Sequence, residues 1–304
     1  MAVASGLSPA RTGLPARLPR RGFGIAALYA ATAAALLVLT IYPMVWLLIG
    51  SLRQREGGYG IANFVELHER FPFANVLINS WIFALGAAGA ATLLGVTLAV
   101  LVARTDMPLK NVARLSAILA FVSPPWLTAM AYVYIASPNV GFANQLLDAV
   151  IGVKPFDIQS MSGMIFVTTL FLYSFVFLTV EAALSSVDGS FEEAARVSGA
   201  RPLTVTRTVT LPLVAPAIVS AAAFSIIIAW GLFAVPAILG MPARIYVFST
   251  QLYLFLSAFP PRLEVAAAMG IMFVATAMLV GVLIWLAGRR RRARGSYAVG
   301  MGKG

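Results

Sequence analysis

Six stretches free of Asp, Glu, Lys, Arg and His recur along the chain, at 22–52, 71–103, 115–147, 158–180, 208–243 and 265–288. A helix needs roughly 20 mostly apolar residues to cross a hydrocarbon core of about 30 Å, and every run can hold one. The runs are solidly apolar, whereas the strands of a closed barrel would alternate. The pattern predicts an all-α integral membrane protein with six transmembrane helices, near 23–50, 79–103, 113–136, 162–184, 213–239 and 265–288.

Three interruptions qualify that pattern. The third run contains "VSPPW" at 122–126. Pro124 and Pro125 remove two backbone donors and kink or break the helix. Irregular backbone survives in lipid only where protein or a water-filled cavity covers it, so the pair marks either a translocation path or a packed kink. In the fifth run Gly231 and Pro236 loosen the outer half. Beyond it, residues 241–270 are rich in aromatics, which suits an interfacial helix or belt.

Charge changes the picture through its position. The chain carries a net charge of +11, and 16 of its 22 Lys and Arg fall in 1–22, 104–114, 181–212 and 289–304. The three alternate loops hold Arg53, Arg55, Arg70, Lys154, Arg244 and Arg262. Basic residues favour the cytoplasmic side, which places both termini there in a multi-pass membrane protein. The basic excess is accounted for by topology, with no nucleic-acid partner, and Arg289–Arg292 reads as a stop-transfer anchor. Residues 1–22, with Pro and Gly among the Arg, read as a basic cytoplasmic tail, 23–288 as the six-span domain, and 289–304 as a second tail. The first apolar run is longer than the h-region of a cleaved signal peptide. With no cysteine there is neither a disulfide nor a thiolate metal site.

No ionisable side chain lies in the middle of a run; Glu181 and Glu264 sit at edges, and the single histidine, His68, sits in a loop. Ion-coupled carriers usually keep such groups inside the membrane. Their absence argues against that class, and against an intramembrane hydrolase. The tail "VGMGKG" is no phosphate loop. Tyr297 stands where the first Gly is needed, and Gly304 where Ser or Thr should follow Lys303. If the chain moves a solute uphill, the energy must enter from outside the membrane.

Residues 190–216, "SFEEAARVSGARPLTVTRTVTLPLVAP", interrupt the apolar pattern with charge. Ser190 and Glu193 have capping-box spacing. Phe191, Ala194, Ala195 and Ser198 share one narrow helical face. Gly199 suits a helix C-terminus, and Pro202 suits the first turn of a second helix. "TVTRTVTL" at 204–211 alternates like a strand, but the segment as a whole reads as a short helix, a bend and a second element on the cytoplasmic face. Pro212 and Pro216 then open the fifth span. Spacing alone fits two readings: a connector resting on lipid headgroups, or a knob for a groove on another protein.

The segment resembles the EAA loop of permease subunits in ABC-type importers, whose pattern is EAA, three residues, Gly, nine residues, Ile, one residue, Leu-Pro. Here Glu193-Ala194-Ala195 is followed at those spacings by Gly199 and by Val209-Thr210-Leu211-Pro212, with Val for Ile. The resemblance implies the type I ABC importer permease fold and a loop whose coupling helices enter a cleft of a cytoplasmic ATPase. It implies that Glu193, Ala194, Ala195, Gly199, Leu211 and Pro212 are ATPase-coupling residues. It also implies two ATP-binding subunits carrying the ATP and Mg²⁺, with no cofactor or catalysis on this chain. A second permease half and an extracytoplasmic solute-binding protein complete the expected assembly in the lipid bilayer. Residues 240–270 and the ending Arg289–Arg292, Tyr297, Gly302-Lys303-Gly304 are similar to the first half of fused ferric-iron type permeases, so ferric iron is the expected solute. Polyamine, thiamine and phosphonate permeases are close alternatives. Tyr132, Tyr134, Trp230 and Phe233 are the aromatics that could line a path, and a membrane scaffold docking a cytoplasmic partner is the reading from another class.

Overall fold

The computed structural model describes residues 21–54 and 57–295, so residues 1–20 of the expected basic tail, and Tyr297 and Gly302–Gly304 of the expected linker, lie outside the described residues. The described residues form α-helices with two π turns and no strand. They divide at Leu47/Leu48 into two units. The first is most of helix α1 (Arg21–Leu52), uncharged after Arg21 and exposed along 24–46.

The second unit is built around α3 (Phe73–Arg104) and α7 (Met161–Ser186), which pack more extensively than any other pair among the described helices. Their sequences explain the closeness. Ala84, Ala87, Ala88, Ala91, Gly95 and Ala99 are buried positions of α3, a stripe of small residues at helical spacing. Without side chains to hold them apart the two backbones approach closely, which is how helices associate where no hydrophobic force separates protein from lipid. A Cβ on Gly95 would lie 2.8 Å from the Tyr173 carbonyl oxygen. The Thr169 hydroxyl, bonded to its own Ile165 carbonyl at 2.8 Å, also reaches the Ala87 carbonyl at 3.4 Å.

The third span is broken, as the proline pair predicts. Helix α4 (Lys110–Val122) stops, Ser123 and Pro124 are extended, and α5 (Pro125–Ala136) restarts at 104° to it. Each proline pushes its predecessor out of the helical region, and Pro125 opens the new helix where no N–H is required. Five helices among the described residues are long and apolar enough to cross a membrane, and the bent pair makes up to six.

The fifth span differs from expectation at both ends. It is one helix from Pro202 to Gly231, made of α9 (Pro202–Val205), a π turn (Thr206–Thr210) and α10 (Leu211–Gly231). Pro212 lies in the first turn of α10 and Pro216 inside it, so neither opens a separate span, and the expected second element is the start of the span itself. The alternating threonines do not make a strand because their hydroxyls bond back one turn: Thr206 to the Pro202 carbonyl at 3.1 Å, and Thr208 to that of Thr204 at 2.8 Å. At the other end the helix stops at Gly231, and the chain resumes in a π turn over Pro236–Gly240.

The aromatic segment divides, with Tyr253 and Phe259 exposed and others turned inward. Helix α11 (Phe248–Ser257) turns Phe248 and Phe255 into the core, where Phe248 meets Trp230 at 5.4 Å and Phe273 at 5.7 Å between ring centroids. The Phe248 amide donates to the Ser80 hydroxyl at 2.9 Å, tying α11 to α3. Helix α12 (Leu263–Gly295) closes the described chain and includes the backbone of Arg289–Arg292. Two short helices sit in the loops: α2 (Ala62–Glu69) and the amphipathic α6 (Phe142–Ile151). Asn144 of α6 is buried and bonds Ser137 and both backbone groups of Phe156.

Candidate functional site

Helix α8 (Ser190–Val197) follows α7 after three residues. Its start is not the expected capping box. Ser190 is the first helical residue, and no side chain caps the helix. Asp188 instead accepts the Ser190 amide at 3.0 Å, while Glu192 and Glu193 stand in the first turn, where the helix dipole favours negative charge.

Its end is as the sequence predicts. Gly199 has φ +87°. Its amide donates to the Arg196 carbonyl at 2.9 Å, and the Ala200 amide donates to that of Ala195 at 3.2 Å. This crossed pair needs a left-handed residue between them, a place for glycine. Arg201 is extended, as a residue before proline must be, and Pro202 opens the next helix.

The two faces of α8 differ sharply. Phe191, Glu193, Ala194 and Ser198 are exposed, and Ala195 is half-buried. Val197 is 90% exposed and Leu203 62%, which leaves apolar side chains bare on the charged end of the body. No atom lies within 4 Å of where a Cβ on Gly199 would sit. Of the six expected coupling residues, Glu193, Ala194, Ala195 and Gly199 therefore lie together on α8 and its cap. Leu211, half-buried, and Pro212, exposed, belong to the first turn of α10.

The inner face holds residues that no sequence motif marks. Glu192 is the one buried side chain of α8. Its Oε1 accepts from Arg104 Nε at 2.8 Å and from the Thr210 hydroxyl at 2.9 Å, and its Oε2 lies 3.9 Å from Arg196. Arg104, the last residue of α3, also donates through Nη2 to the Leu184 and Val187 carbonyls at 2.8 and 3.3 Å. Beside this group Arg114 of α4 pairs with Glu181 of α7, so one of the two edge carboxylates noted in the sequence is part of an ion pair.

No three His, Cys, Asp or Glu side chains come together as a metal site among the described residues. The four path aromatics scatter. Trp230 is in the core, Tyr134 is exposed, Tyr132 lines a cavity of about 440 Å³ with Phe156 and Phe166, and Phe233 lines one of about 330 Å³ with Phe248, Tyr253 and Phe273.

Over residues 91–293 the chain matches the family model described as binding-protein-dependent transport system inner membrane component. It is 33% identical over 138 residues to a probable ABC transporter permease protein, y4fN, of Sinorhizobium fredii, a match taking 45% of this chain and 23% of that protein. The putative 2-aminoethylphosphonate transport system permease protein PhnU of Salmonella typhi is 24% identical over 209 residues, 68% of this chain and 72% of the relative. The ferric transport system permease protein FbpB of Actinobacillus pleuropneumoniae is 22% identical over 253 residues, 82% and 36%. The chain thus spans about a quarter of the length of the first and about a third of the last. Among solved structures, a chain of a bacterial alginate ABC transporter in complex with alginate pentasaccharide-bound periplasmic protein superposes with a TM-score of 0.77 at 20% identity, over 89% of this chain and 96% of that one. The fold is that of the type I ABC importer permeases. With the matched stretch running from the middle of α3 into α12 and taking in α8 and its cap, the chain belongs to the binding-protein-dependent transport system inner membrane component family.

Proposed function

We propose that this permease carries a small solute through the bacterial inner membrane, receiving it from an extracytoplasmic binding protein and drawing energy from ATP hydrolysed on partner subunits that dock at α8. In the assembly it works with a second permease half and two ATP-binding subunits, its charged α8 end facing the cytoplasm. The observation that carries this reading is the exposed face of α8, apolar at Phe191, Ala194 and Val197, small at Ala194, and stopped by the left-handed Gly199. Such a face offers a partner close backbone approach and unburied apolar area at once. The excess of Lys and Arg on this side of the spans supports the orientation. Closure of the ATPase pair would then rock the spans as rigid bodies between two access states.

The solute class is left to the binding protein. The names of the relatives range over 2-aminoethylphosphonate, galactooligosaccharide, sulfoquinovosyl glycerol and ferric transport, and ferric iron stands as one class among them. Affinity purification of the tagged chain from native membranes in mild detergent, with mass spectrometry of the associated proteins, tests the assembly. The expected result is recovery of an ATPase, a second permease half and a binding protein whose ligand names the solute class. Failure to recover any ATPase, even after crosslinking through residues near Gly199, turns the reading to a membrane scaffold.

A further inference from the structure

Helix α8 has a weak grip on the rest of the protein for an element that must transmit force. Phe191 and Val197 face outward, and its one buried side chain is a carboxylate. That carboxylate is where four elements meet. Glu192 belongs to α8, Arg104 ends α3, the Leu184 and Val187 carbonyls end α7, and Thr210 ends the π turn that leads into α10. Hydrogen bonds with an ionised partner are short and roughly twice as strong as neutral ones. The guanidinium fork is rigid, so Arg104 fixes direction as well as distance.

The π turn completes the arrangement. Val205 and Thr210 are both buried although five residues apart, whereas five residues of α-helix would set them about 140° from each other. The wider turn returns Thr210 to the inner face, and the buried positions Val214, Ala221, Ser225 and Ala229 continue from it. We infer that Glu192 is a positioning residue: gripped by Arg104 and Thr210, it makes α8 move as one body with α3, α7 and α10. This rests on α8 being the docking helix, and it adds how a displacement there reaches the spans.

The chain has no cysteine, so spin labels can be placed without background. Labels at Val197→Cys on α8 and Leu101→Cys on α3, both exposed positions, report the distance between the two helices in the full chain in lipid nanodiscs. With Glu192 in place the pulsed electron resonance distance is expected to be single and narrow. In Glu192→Gln, and to a lesser degree in Thr210→Val, it should broaden and shift. In proteoliposomes of the assembled transporter, solute moved per ATP hydrolysed should fall roughly tenfold in Glu192→Gln, within the usual range of coupling between sites. A merely structural role would lower transport and hydrolysis together and leave that ratio unchanged. An unchanged distance in both variants, or an unchanged ratio, overturns the proposal. If Glu192→Gln fails to insert, Thr210→Val, which keeps the side-chain shape, carries the same test. If the unsubstituted chain does not engage an ATPase, the docking reading falls, and the spin-label distances still decide whether the clamp exists.

Discussion

Replacing Gly199 by arginine is expected to abolish uptake while leaving the protein inserted and folded. Two effects that a glycine substitution usually mixes are separate at this position. The first is conformational, because at φ +87° a residue with a Cβ is strained by about 1–2 kcal/mol. The second is steric, and within the chain it is absent, since nothing lies within 4 Å of the new Cβ. The protein alone should therefore absorb the change with modest strain at the end of α8. A partner seated on α8 could not, because a long charged side chain would rise from the rim of the face it grips. Gly199→Asn, whose side chain tolerates the left-handed region, and Gly199→Ala should keep much of the uptake. Uptake and membrane content measured together in cells check this. Uptake surviving Gly199→Arg would remove α8 as the docking element.

The second large effect concerns folding. Gly95→Leu should lower the melting temperature and the yield of monodisperse protein, because α3 and α7 would have to separate. Its Cβ would stand 2.8 Å from both the Tyr173 carbonyl oxygen and the Val176 Cβ, and the remaining side-chain atoms would need room that two packed backbones do not leave. Overpacking a well-filled interior costs about 1–3 kcal/mol, and here the first obstacle is backbone, which cannot change rotamer. Gly89→Leu on the same helix is the control. Gly89 is exposed, with nothing within 4 Å of where its Cβ would stand, so the melting temperature should hold. Equal losses in the two variants would mean that α3 and α7 are not held by their small residues.

Much of this architecture was legible from the order of residues, because lipid imposes long apolar runs and proline imposes breaks. The bend at Pro124 and the left-handed Gly199 follow from local chemistry and stand where they were expected. What local chemistry could not supply is pairing at a distance. Glu192 and Arg104 are 88 residues apart, and each alone looks like an ordinary charge at the end of a span. The motif drew attention to Glu193, which is exposed, and away from its buried neighbour. Propensity alone would make the alternating threonines a strand, because it ignores a hydroxyl that bonds its own helix one turn back; the helical reading of 204–211 is the one the structure shows. The aromatics of 241–270 suit an interfacial helix or belt by composition, which cannot tell an exposed aromatic from Phe248 and Phe255, packed against Trp230 and Phe71. For Glu192 and for the two phenylalanines a partner remote in sequence decided the outcome.

Whether α8 is the surface an ATPase grips can be read from a single crosslinking experiment. Val197→Cys on α8 and, as a control, Phe142→Cys on α6 are placed singly in the cysteine-free chain and treated with a short thiol-to-amine crosslinker in native membranes. Both positions are exposed. Docking at α8 requires a product combining the chain with an ATPase from position 197 and none from position 142. No product at 197, or equal products from both positions, would mean that the ATPase does not sit on α8.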